Sequence, residues 1–111
     1  MSAKSKVYQA LLATGIPGRQ DAYPVKKAPA PPFFVYTEES DGGFIADGVV
    51  YAMLPRFHVE LFEKSSDAAT EALIRDAIVS LGCVPDETGI WSESEVCHIE
   101  QYDFTYHYRE E

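Results

Sequence analysis

The sequence predicts an α+β domain: a mainly antiparallel sheet of about four strands, with two helices packed on one face. Three observations predict it. Two segments carry apolar residues at helical spacing, and runs of alternating residues lie between and after them. The order is helix, strand, strand (one long or two), helix, strand, strand, which favours antiparallel pairing over a doubly wound parallel sheet. No internal repeat divides the 111 residues, a length suited to one domain. The expected layout is an N-terminal helix over 1–14, a proline-rich extended connector over 16–32 and an α+β body over 33–111.

The first helix is "SKVYQALLATG". Val7, Tyr8, Leu11 and Leu12 fall on one face, and Gly15 is a natural stop. "IPGRQDAYPVKKAPAPP" follows with five of the seven prolines. Proline lacks a backbone donor and fixes φ, so this stretch reads as extended and partly exposed, not as a central strand. A linker to the sheet is the plain reading; a proline-rich ligand is the alternative.

"PFFVYTEE" is a dense β signal, with Phe33, Val35 and Thr37 on one face and Phe34 and Tyr36 on the other. After the loop "SDGGFIADG", "VVYAMLPRFHVELFEK" gives one strand or two, with Pro55 marking a bulge, an edge or a turn. There Phe57, Val59 and Leu61 alternate with His58, Glu60 and Phe62.

"SSDAATEALIRDAIVSLG" is the clearest helix. Ser66 or Asp67 can cap it, Glu71 favours the positive end of its dipole, and Gly82 ends it. Leu73, Ile74, Ala77, Ile78 and Leu81 form a stripe that covers a sheet. A hairpin closes the chain. In "CHIEQYDFTYHY", Tyr102, Phe104, Tyr106 and Tyr108 oppose Gln101, Asp103, Thr105 and His107. The sheet face away from the helices would then mix polar and aromatic groups, as an assembling subunit could use.

Composition narrows the function classes. An apolar fraction of 46% with 13% aromatics is that of a folded chain. Apolar runs fall far short of the ~20 residues that span a bilayer. The segment after Lys4 and Lys6 is amphipathic and not a secretion signal, so the reading is a soluble cytoplasmic chain with no membrane partner. Cys83 and Cys97 lack metal-site spacing and read as buried free thiols.

The net charge of −9 argues against specific nucleic-acid binding. Its distribution says more. Residues 1–32 hold Lys4, Lys6, Arg19, Lys26 and Lys27 with one acid, a net +4, whereas 33–111 sum to −13. That is either a solvated basic arm beside an acidic body or a head-to-tail contact between copies.

Catalytic chemistry is not legible. His58 precedes Glu60 by two residues and His98 precedes Glu100 by two, so each pair shares a strand face. Such pairs could bind zinc or move protons, but cross-strand polar pairing is the commoner use. No serine sits in a nucleophile elbow, "DGGF" opens no phosphate loop, and Asp41 and Asp47 are too sparse for a calcium loop. The expectation is no enzyme, no cofactor and no catalytic or metal residue.

Taken together, the segments "LLATGIP", "PPFFVYTEE", "F-x-ADG-x-VY", "RFHVELFEK", "SSDAATEALIRDAI" and "SESE" resemble the tail-terminator or tail-completion proteins of long-tailed bacteriophages and prophages. The likeness covers about residues 5–108, and its motifs are structural. It implies a homo-oligomeric ring, of six subunits by expectation, that caps the tail tube and docks to the head connector. Its partners would be itself, the tail tube protein and the head–tail connector protein. It would sit at the head-proximal end of the virion tail, after assembly in the host cytoplasm. On this reading Asp41, Gly42, Gly43, Phe44, Ile45 and Asp47 form an assembly loop, its glycines permitting unusual backbone angles and Phe44 and Ile45 supplying apolar contact. Lys4, Lys6, Arg19, Lys26 and Lys27 form an inter-subunit basic arm, and an acidic lumen lets DNA slide through. The plainer reading of the loop is a long hairpin whose Phe44 folds back on the core. A neighbouring connector or stopper, or an acidic module that sequesters a basic partner, are the alternative functions.

Overall fold

The structure, a computed structural model, describes residues 2–24, 27–39, 44–46, 49–52 and 55–106, with the backbone alone described for 44–46 and 49–52. Helix α1 (Ala3–Leu12) starts where the Ser2 hydroxyl accepts the Ser5 amide and stops before Gly15, whose φ is +86°. Strand β1 (Gly18–Gln20) follows inside the proline-rich connector, then β2 (Phe33–Glu39). A hairpin of β3 (Phe44–Ala46) and β4 (Val49–Ala52) leads to β5 (Arg56–Glu63). Helix α2 (Ala68–Val79) and the strands β6 (Asp86–Ser92) and β7 (Cys97–Thr105) complete the chain.

The α+β class stands, but the sheet is larger than four strands. Five strands run in the order β1-β2-β5-β7-β6, and β3-β4 form a separate two-stranded sheet. Every pairing is antiparallel except β1 with β2, which makes the main sheet mixed. The short β1 fits a proline-rich stretch, since three residues between Pro17 and Pro24 can pair only at an edge. "VVYAMLPRF" does not continue as one strand. It divides before Pro55 into β4 and β5, which belong to different sheets. The segment 39–48 is not wholly a loop either, because Phe44–Ala46 pairs with the strand after it.

Strand β7 is antiparallel to both β5 and β6, so β5 and β6 run the same way with β7 between them. Parallel strands need a crossover, and α2 supplies it. Asp67 caps α2 by accepting from the Ala69 and Thr70 amides.

Both helices cover one sheet face. Val7 and Leu11 of α1 and Ile74 and Ile78 of α2 pack on Phe34, Tyr36, Phe57, Val59, Leu61, Tyr102 and Phe104. The alternation expected in β2, β5 and β7 is the alternation found, for the residues described. Two stripe positions depart from it: Leu12 and Leu73 are 41% and 48% exposed. Each sits about 100° round the helix from a fully buried neighbour, Leu11 or Ile74, and so past the margin of the sheet. Among the described residues, no helix is long and apolar enough to cross a membrane.

Candidate functional site

Period-two alternation carries β5 through Phe57, Val59 and Leu61 to Glu63, and so drives a carboxylate into the helix-covered face, where it is 3% exposed. The same rule puts His98 and Glu100 on the face that holds Tyr102, and Glu87 beside Tyr102 across the β6–β7 pair. Glu71, at the start of α2, closes over them and is itself buried.

Two overlapping triads result. Potential ligand atoms of Glu63, Glu71 and His98 lie within 4.8 Å of one another, and so do those of Glu71, Glu87 and Glu100. Local bonds fix the set. Glu71 Oε2 accepts from the Ser66 hydroxyl (2.8 Å) and the Asp67 amide (3.2 Å), and Glu63 Oε2 shares that amide at 3.2 Å. Arg75 donates to both oxygens of Glu87, at 2.6 and 2.9 Å. His98 Nε2 lies 2.8 Å from Glu100 Oε1 and 3.7 Å from Glu71 Oε2. Glu63 Oε1, by contrast, is buried with no partner.

Four carboxyls thus share one guanidinium and one imidazole, an arrangement in which like charges cannot all persist. Burial, then the hydrogen bond and charge of Glu71, pushes Glu63 up to about 8. Burial, then Glu87, also raises Glu100, whereas the Arg75 fork holds Glu87 down. Space for the group comes from Gly89 on β6: a Cβ there would stand 2.6 Å from Glu100 Oε1 and 2.8 Å from His98 Cε1.

The open face carries a different set. His58 Nδ1 lies 2.7 Å from Asp103 Oδ1, and its Nε2 is 3.7 Å from Glu60. Burial pulls the His58 pKa down, but the bond and charge of Asp103, with Glu60, outweigh it and leave it above the ordinary 6.5. Beside this polar row Phe33 and Phe62 stack at 4.8 Å. A cleft of about 650 Å³ opens there between the connector and the sheet, lined by Tyr23, Pro31, Phe33, Val35, Phe62 and Cys97 among others. The face does mix polar and aromatic groups, and Cys83 and Cys97 are buried free thiols.

Three of the basic positions, Lys4, Lys6 and Arg19, stand on two neighbouring elements. The Tyr8 hydroxyl donates to the Gly18 carbonyl (3.1 Å), joining α1, with Lys4 and Lys6, to edge strand β1, with Arg19. Arg19 stands 5.6 Å over the Tyr23 ring, and Lys4 reaches Glu38 at 3.9 Å. Lys27 follows in the connector, and Lys26 lies outside the described residues. At the far edge, β6 and the turn after it carry exposed Asp86, Glu93 and Glu95, with Ile90 and Trp91 exposed as well. Of the expected assembly loop, Phe44 and Ile45 form part of β3, and Asp41, Gly42, Gly43 and Asp47 lie outside the described residues.

The shared strand face sets His58 with Glu60 and His98 with Glu100, as found, but does not reveal Asp103 beside His58, or Glu63, Glu71 and Glu87 around His98 and Glu100. Glu63 was signalled, because it continues the Phe57–Val59–Leu61 alternation by one more step. No family model and no curated protein matches the chain.

Proposed function

We propose that this chain is a structural, non-enzymatic subunit of a phage or prophage virion, forming a ring that ends the tail tube and joins the tail to the head connector. The observation that carries the reading is the sheet's two unlike edges. β1, with Arg19 and the neighbouring lysines of α1, closes one side, and β6, with its acids and exposed Ile90 and Trp91, closes the other. Among the described residues no further strand pairs with either edge.

An unpaired sheet edge offers its backbone groups to another chain. Unlike edges of opposite charge join head to tail, and a head-to-tail contact that repeats with a closing rotation gives a ring. The resemblance of "F-x-ADG-x-VY" and "RFHVELFEK" to tail-terminator proteins supplies the context, with the tube protein and the connector as the other partners. Within such a ring the acidic body lines or flanks the passage of DNA and repels phosphate. The 41–47 segment serves as the contact to a neighbour or to the tube.

The test is assembly with and without the matching tube protein, by light scattering and negative-stain microscopy. Tubes that stop growing and carry a ring at the end support the reading. A persistent monomer that leaves tube growth untouched shifts it to a connector or to an acidic module that sequesters a basic partner.

A further inference from the structure

We infer that Glu63, Glu71 and His98 form a binding site for one divalent transition-metal ion, with zinc as the best fit. The inference rests on the cluster alone and not on the ring.

Four features carry it. First, the triad unites two carboxylates and an imidazole within 4.8 Å, and the set draws on β5, α2 and β7, three separate elements. Zinc bonds of about 2.0–2.2 Å in a tetrahedron put ligand atoms about 3.4 Å apart; His98 Nε2 and Glu71 Oε2 are already 3.7 Å apart. Second, Glu63 Oε1 is fully enclosed and unpartnered in a residue only 3% exposed. A buried carboxylate oxygen that no donor reaches requires either a proton or a cation beside it. Third, His98 Nε2 is turned toward carboxylate oxygen on two sides, Glu100 at 2.8 Å and Glu71 at 3.7 Å. Fourth, Gly89 leaves open the space a Cβ would take from Glu100 and His98.

The ligand type favours zinc over calcium or magnesium, because imidazole suits transition metals whereas the hard cations prefer all-oxygen shells. The second triad is less suited. Glu87 already spends both oxygens on Arg75.

The experiment is calorimetric titration of zinc into the full chain after chelator treatment, repeated with Glu63→Gln, His98→Gln and, as a control for the open-face cluster, His58→Gln. One ion per chain is expected, with at least tenfold weaker binding in the first two variants and none lost in the third. X-ray absorption of the zinc-loaded wild type should show one nitrogen and two or three oxygen neighbours, a readout that needs no variant to fold. An absence of saturable binding overturns the site and leaves a shared proton in its place. Equal binding by Glu63→Gln and His98→Gln, or an all-oxygen shell, also overturns it.

Discussion

The Tyr102 hydroxyl, on strand β7, donates a buried 2.8 Å hydrogen bond to the Glu71 carbonyl in the first turn of α2. One contact thus ties β7, which lies between β5 and β6, to the residue that closes the acidic cluster. Burial, then the negative charge of Glu87, Glu100 and Glu71, holds this phenol protonated far above the usual tyrosine range, so it stays a donor.

Removing that hydroxyl leaves the ring's packing intact and a helix carbonyl short of one donor. Tyr102→Phe should therefore cost about 0.5–1.5 kcal/mol. Urea unfolding of the two proteins side by side measures it; equal midpoints would mean the bond contributes nothing net.

His58 sets a pH dependence. Its folded pKa lies above the ordinary 6.5, so it binds protons more readily folded than unfolded. The stabilisation is fully present below about 6.5 and is lost as pH rises through the raised value. Asp103 is half exposed, which keeps the gain under about 1 kcal/mol. A histidine titration by NMR should show the raised midpoint, and Asp103→Asn should bring it back down. A midpoint indifferent to Asp103→Asn would remove the pair from the account.

Gly18 permits a close approach. A Cβ there would stand 2.4 Å from the ring of Phe34, which is fully buried against Leu11, Leu61 and their neighbours. The ring has little room to retreat, so Gly18→Ala should destabilise by about 1–3 kcal/mol. Thermal unfolding tests this: an unshifted transition would show that β1 yields easily.

The core was legible because it obeys simple periods. Phe34, Tyr36, Phe57, Val59, Leu61, Tyr102 and Phe104 alternate in the sequence and point inward together. Leu12 and Leu73 were misplaced because helical spacing fixes an angle round the helix, not how wide a neighbouring sheet is. Strand β1 was hidden for another reason. Three residues among prolines carry no pattern, and only the edge offered by β2 makes them a strand. The acidic cluster was half legible. Each of His98, Glu100 and Glu63 has an inward position set by alternation, but their meeting with Glu71 depends on how α2 crosses the sheet, which no local period encodes.

The central claim is that unlike edges of neighbouring subunits meet. The most direct measurement is to place single cysteines at Gln20 on β1 and Ile90 on β6 of the same chain and bridge them with a short bismaleimide. The matching tube protein is present to template assembly, and the wild type, with its two buried thiols, is the control. Head-to-tail packing predicts a covalent ladder that ends at a fixed ring size, six on the reading here. Isolated dimers, or no crosslinks at saturating tube ends, would contradict it.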